Sequence, residues 1–361
     1  MKLKKSLCVL LMLSTLFITS LMAQGAIEQD NTDKKAIAYD SFNERVEVPL
    51  PISSIAIIGK AALMPADALY LFPEVKELKV TMAKTDQGLG DFFTLVVPKE
   101  RATKRLGQTI SAEEILSINP DLILTKSRNK KSINDLISSF NIPLFALDLE
   151  TIESWKDEIL QLGTLLNNEA RAKVVVDEIT NREREVSKKV LNAESPSVLV
   201  LQGVNSDGVN SFSIAPKSWL QSELVTLAGG TPITLEGEGS GWSVVSFEQI
   251  AAWDPDYIVI VSYKSKGDSF TNQIYASSEW KELTAVKNSQ VYLAPGDYVN
   301  YFQPNSRWIL ALQWLSKTIH PTRFVEVSME EEVSSFYKTM YSITEEAILS
   351  ELVEKYRSSL K

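Results

Sequence analysis

Short apolar runs alternate with longer stretches of helical spacing along most of the chain. The runs Ile55–Ile58, Leu95–Val97, Leu122–Leu124 and Leu144–Leu147 occur in the first half, and Ser197–Leu201, Tyr257–Val261 and Val291–Leu293 in the second. Continuous apolar runs of this length, rich in β-branched residues, read as strands buried on both faces of a parallel sheet. The intervening amphipathic segments read as helices covering those faces. Thr151–Ala193 differs: it is rich in Glu, Lys, Leu and Val, has no proline and carries one glycine, Gly163. It reads as one long helix, or two broken near Leu166, Asn167 and Asn168, closed off by Pro196. Met329–Lys361 reads as acidic amphipathic helices packing on the second half.

A repeat sets the architecture. Ser111, Glu113, Ile115, Pro120, Asp121 and Ile123 recur at the same spacing as Ser246, Glu248, Ile250, Pro255, Asp256 and Ile258. Each copy reads as a helix with a serine N-cap and an acid in its first turn. The helix ends at Pro-Asp, because the residue before proline avoids the α region, and a buried strand follows. The fold class expected is therefore α/β: two Rossmann-like lobes with parallel sheets, joined by a long helical crossover. The expected divisions are a leader over 1–25, an N-terminal lobe over 26–150, a connecting helix over 151–195 and a C-terminal lobe over 196–361.

The first residues change the expected compartment. Lys2, Lys4 and Lys5 precede the apolar stretch Leu7–Ile18, and small residues follow to Ala26. This is the pattern of a cleaved export signal, cut after Ala23 or Gly25, and it is short of the ~20 residues that a spanning helix needs. Cys8, the single cysteine, lies inside that apolar stretch rather than at its end. It leaves with the signal, so the expected product is a soluble periplasmic protein with neither a lipid anchor nor a disulfide. The chain has 37 basic and 46 acidic residues, a net charge of −9, which opposes non-specific nucleic-acid binding.

In open parallel sheets, ligands bind beyond the carboxyl ends of the strands. The loops there carry Gly59 and Lys60; Lys84 to Asp91; Lys126 and Arg128; Gln202; Tyr263 and Lys264; Asp297 and Tyr298; and the glycine-rich approach to Trp242. With Arg307, these give a polar, basic cleft beside Trp242 and Tyr263, suited to an anionic or hydrogen-bonding solute. His320 is the only histidine, so a transition-metal centre is not expected, and no cofactor is indicated. An enzyme reading has no Gly-x-Ser-x-Gly elbow and no histidine base beside a nucleophile; a carboxylate-dependent hydrolase is the lesser alternative.

Signal, paired lobes, crossover and repeat together resemble the periplasmic binding proteins of vitamin B12, ferric-siderophore and haem importers, the helical-backbone class. The resemblance spans about Ile37 to Leu360 and is carried best by Ser111–Leu124, Trp242–Ile260 and Leu293–Leu315. It implies a monomeric receptor for an ABC permease dimer, with Glu113 and Glu248 docking on that permease, one per lobe. It also implies that Trp242 and Asp297 face the solute. Lys126 and Gln202 stand where relatives binding flat, greasy ligands often carry aromatics. The solute expected is a metal chelate such as a ferric siderophore, with an oxyanion such as molybdate or tungstate as the alternative.

Overall fold

The computed structural model describes residues 34–360 apart from 85–87, 98–103, 108, 207–208, 236–238, 240 and 264–266. The signal segment and Lys264 lie outside the described residues.

Strands β1 (Lys35–Tyr39) and β2 (Arg45–Pro49) form an antiparallel hairpin that precedes the first lobe. The lobe itself contains β3 (Ser54–Ile57), α1 (Leu63–Leu69), β4 (Lys79–Ala83), α2 (Phe93–Val96), β5 (Lys104–Leu106), α3 (Ala112–Ile118), β6 (Leu122–Lys126), α4 (Lys130–Ile137) and β7 (Leu144–Leu147). Its five strands are all parallel, in the order β5-β4-β3-β6-β7. The order runs outward in both directions from β3, as in a Rossmann sheet. The run Leu95–Val97, expected as a strand, instead ends the short helix α2. Periodicity cannot separate a short buried helix from a short buried strand. Here Phe92 and Phe93 are buried and Phe93 stacks on Tyr70 at 4.7 Å, so the segment packs as a plug.

The crossover is two helices, α5 (Ile152–Leu165) and α6 (Glu169–Val190). The second lobe follows with β8 (Ser197–Ser206), β9 (Val209–Ile214), α7 (Leu220–Leu227), β10 (Thr231–Pro232), β11 (Ser243–Val245), α8 (Phe247–Trp253), β12 (Tyr257–Val261), α9 (Asp268–Ala276), α10 (Thr284–Lys287) and β13 (Val291–Leu293). Its sheet runs β11-β9-β8-β12-β13. The strands β8, β12 and β13 are parallel, while β9 and β11 add antiparallel. Helices α11 (Trp308–Ile319), α12 (Met329–Tyr341) and α13 (Glu346–Ser359) complete the chain.

The repeat has one physical construction in both lobes. Ser111 and Ser246 each accept from a backbone N–H three residues on, and the side chains of Glu114 and Gln249 return to the cap nitrogens. These reciprocal caps satisfy the free amides at the helix starts. The residues before proline, Asn119 and Asp254, adopt the left-handed region at φ 48° and 40°. Both are among the few side chains that tolerate it. Asp121 then accepts from Ser53 N at 2.8 Å and Ser53 Oγ at 2.7 Å, and Asp256 accepts from the matching atoms of Ser197 at the same distances. Each Pro-Asp therefore ties its strand to the start of the neighbouring strand.

Alternate strand residues enter different cores. Ile55, Ile57, Leu122, Leu124, Val198, Val200, Val259 and Val261 join one cluster that extends through both crossover helices and α11–α13. Ala56, Ile58 and Ile123 face a separate outer core, and Leu199, Leu201, Ile258 and Ile260 face another. The lobes thus share their inner core. Arg171 of α6 reinforces it, donating to Leu71 O at 2.8 Å and to Thr339 O and Met340 O of α12. The tail helices therefore pack on the crossover as well as on the second lobe.

Gly163 marks the tightest point of the crossover: a Cβ there would lie 2.4 Å from Ala172 Cβ. Gly163→Ala is expected to cost about 1–3 kcal/mol by overpacking, despite alanine's better helix propensity. Urea denaturation reads this as a lower midpoint, and an unchanged or raised midpoint would show that the α5–α6 joint yields.

Candidate solute cleft

The carboxyl ends of β6 and β7 face the start of α7 and the approach to β11, across a cavity of about 530 Å³. Lys126, Ser127, Arg128, Asp148 and Glu150 line it from one lobe, and Ser218, Trp219, Gly241 and Trp242 from the other. Trp219 and Trp242 meet edge to face at 6.2 Å, and Trp242 meets Tyr263 the same way at 6.1 Å. Gln221 fixes this aromatic wall from behind, donating to Tyr263 Oη at 3.2 Å and Phe302 O at 2.8 Å. Trp219, Asp148, Glu150 and Ser218 do not stand out in the sequence. Trp219 precedes a helix directly after β9, and that position is its only signal.

The cations of the cleft differ in availability. Lys126 is buried, with Nζ 2.6 Å from Glu150 Oε1, so its charge is internally matched. Arg128 is exposed on the cavity wall and has no carboxylate partner among the described residues. Beneath them, buried Glu158 accepts from Asp148 N at 2.8 Å and Leu149 N at 3.2 Å. Burial pushes its carboxyl up to about 8; nearby Asp148 adds to this, while the two N–H donors and Lys126 oppose it.

The other expected cleft residues lie elsewhere. Gln202 sits inside β8, paired with Ser213 and Val261, because that strand runs on into a hairpin with β9 and opens no loop there. Asp297 lines a second cavity of about 450 Å³, at the ends of β12 and β13, and Tyr298 lies against Lys355 of its wall. Arg307 lines neither cavity and is fully buried. Its Nη1 contacts Asp67 Oδ1 and Tyr341 Oη, its Nε lies 2.6 Å from Tyr337 Oη and 3.3 Å from Asp297 Oδ1, and Phe92 covers it at 4.3 Å. It holds the lobes and α12 together. His320 is likewise buried, and burial lowers its pKa. Among the described residues no group of His, Cys, Asp or Glu could hold a metal ion, and no helix is long and apolar enough to cross a membrane.

Glu113 and Glu248 are exposed at the starts of α3 and α8. A helix leading into a parallel strand begins at the carboxyl-end side of the sheet, so both lie on the side where the cleft opens. The neighbouring Glu114 and Gln249 make the reciprocal caps. Both carboxyls are held below the usual range: Glu113 first by its own N–H and then by Ser111, Glu248 first by Ser246 and then by its own N–H.

Two α/β lobes, a helical crossover and a cleft at the facing strand ends define a two-lobed solute receptor. The sequence matches the periplasmic binding protein family over residues 98–298, more than half of the chain, and the chain belongs to that family, the solute-binding receptors of ABC importers. Its curated relatives include the molybdate-binding protein MolA of Haemophilus influenzae, 24% identical over 93% of this chain and 96% of that protein. They also include the iron(3+)-hydroxamate-binding protein FhuD of Bacillus subtilis, 22% identical over 73% of this chain and 80% of that one. Among solved structures, an ABC transporter solute-binding protein of Sulfurospirillum deleyianum superposes with a TM-score of 0.69 at 20% identity, covering 89% of this chain and 99% of that one. Molybdate-bound MolA gives 0.69 at 17%, covering 86% and 99%.

Two outcomes test the electrostatics. Arg307→Met leaves Asp67 and Asp297 buried without their cation and is expected to destabilise by about 3–5 kcal/mol; a loss below about 1 kcal/mol in guanidinium unfolding would refute the pivotal role. Glu158 binds its proton more tightly folded than unfolded, so its contribution is full below the unfolded carboxyl range and falls as pH rises toward 8. Glu158→Gln should remove up to about 1.4 kcal/mol per pH unit of that decline, read as unfolding free energies at pH 5.5, 6.5 and 7.5. Parallel pH profiles for parent and variant would exclude it.

Proposed function

We propose that this receptor is exported through its N-terminal signal, remains in the periplasm without a lipid anchor, and delivers a metal chelate of the ferric-siderophore type to its permease. The observation that carries this is the cavity of about 530 Å³ with Trp219 and Trp242 on one wall and, on the other, Arg128 without a carboxylate partner among the described residues. That volume lies within the roughly 300–1,000 Å³ range of sites for drug-sized organic ligands. Indole faces supply apolar contact to an organic shell, and a free guanidinium matches an anionic group. A second reading, a bare oxyanion such as molybdate, is favoured by the end-to-end match to MolA. The donors for it would be Arg128 and the Ser218 hydroxyl. A five-atom anion leaves most of the cavity unfilled.

Calorimetric titration with ferrichrome and with molybdate separates the two. Ferrichrome binding is expected, weakened at least about tenfold, or 1.4 kcal/mol, by Trp219→Ala or Trp242→Ala. Micromolar molybdate binding with no ferrichrome heat selects the oxyanion instead.

Glu113 and Glu248 are proposed as the permease contacts. Their capping neighbours leave them exposed in equivalent places on two similar lobes, which suits a symmetric membrane partner. The double variant Glu113→Ala with Glu248→Ala should abolish uptake while solute affinity stays unchanged. Normal uptake by that variant would remove the assignment.

A further inference from the structure

The second cavity lies at the carboxyl ends of β12 and β13, where Ile260, Ser262, Leu293 and Ala294 form its floor. A parallel sheet places ligands at these ends. Leu89 of the first lobe covers one side, and α13 forms the other with Glu351, Glu354, Lys355 and Ser358. Gly88, Leu89 and Tyr263 connect its rim to the aromatic wall of the tryptophan-lined cleft. Gly88 N donates to Tyr263 O at 3.0 Å and Leu89 N to Tyr298 O at 2.7 Å. Tyr263 belongs to both sides: its ring meets Trp242 of the first cavity, and its chain neighbour Ser262 lines the second.

This strap needs its glycines. Gly88 and Gly90 have φ of +94° and +144°, and a Cβ on Gly90 would lie 2.8 Å from the Tyr298 ring. Left-handed backbone and so close a ring approach both exclude larger residues. Inside the second cavity the acids are already engaged. Glu351 accepts from Tyr298 Oη, and Glu354 pairs with Arg357. Lys355 is half-buried, lies over the Tyr298 ring at 4.3 Å and has no carboxylate partner among the described residues. Among the described residues it is the one cation lining this cavity.

We propose that this cavity is a second compartment of the solute cleft, reached across the Gly88–Leu89 strap, and that it takes a carboxylate-bearing arm of the chelate on Lys355. The inference rests on the chelate reading and narrows it to a two-ended, anionic solute. Asn300 and Ser358 supply further polar groups on the walls.

Two ferric hydroxamates test it: ferric aerobactin, which carries carboxylates, and ferrichrome, which carries none. Titrations use the full-length mature receptor, its Lys355→Gln variant and its Ser358→Trp variant, each checked for an unchanged melting temperature. Ferric aerobactin should bind the parent more tightly than ferrichrome does. Lys355→Gln should cost aerobactin at least tenfold and leave ferrichrome unchanged. Ser358→Trp, which fills the compartment without touching that charge, should also weaken aerobactin. Equal aerobactin affinity in parent and both variants overturns the second compartment while leaving the chelate reading intact. Ferrichrome binding without aerobactin binding overturns it in the same way. Failure of the parent to bind either complex overturns both.

Discussion

A guanidinium removed from water keeps its charge, so whatever surrounds it must supply compensating carboxylates and hydroxyls. Arg307 imposes that demand here, and three separate parts of the chain meet it. Asp67 comes from α1 of the first lobe, Asp297 from the loop after β13, and Tyr337 and Tyr341 from α12. Asp67 is tied down in turn by Ser306 N at 2.7 Å and Tyr341 Oη at 2.7 Å. Burial holds the Tyr337 and Tyr341 hydroxyls well above the ordinary phenol range, so they remain protonated donors. Losing Asp297 would strip the Tyr301 hydroxyl of its acceptor, and losing Tyr341 would strip Ser306 Oγ of its partner. The relative placement of lobes and tail follows from satisfying this cluster.

What was legible in the sequence is what residues do locally. The repeat can be read because each of its positions acts at short range. Serine caps the helix, Asn119 or Asp254 takes the left-handed turn, and aspartate binds the neighbouring strand. The crossover break near Leu166–Asn168 is legible for the same reason, since Asn168 caps α6. The strand expected at Leu95–Val97 fails because so short an apolar run carries no decisive period. Gln202 reads as a loop residue because nothing local shows that β8 continues and folds back as β9.

The candidate site was legible by residue type and not by partnership. Lys126, Arg128 and Arg307 all read as cations available to a solute, yet a charge count does not reveal which are already neutralised. Glu150 takes Lys126, and the buried carboxylates take Arg307. That leaves Arg128 as the unpaired cation lining the tryptophan-walled cavity among the described residues, beside the acids Asp148 and Glu150. A cavity with one free guanidinium and two indoles discriminates by shape and apolar contact more than by net positive potential. The proposed chelate reading rests on this composition, since a compact dianion needs several converging donors to replace its hydration.

The same accounting constrains how solute enters. Separating the lobes would break the Arg307 cluster and the inner core that both sheets share, a loss of several kcal/mol for the ion pair alone. The strap across the cleft is held at Gly88 and Leu89 by two backbone hydrogen bonds. At about 0.5–1.5 kcal/mol net each, these cost roughly 1–3 kcal/mol to release, within the range that keeps an open minority state populated. Releasing the strap therefore costs less than separating the lobes. A shared core and a weak strap reconcile a rigid crossover with a cleft that must still load and release its solute.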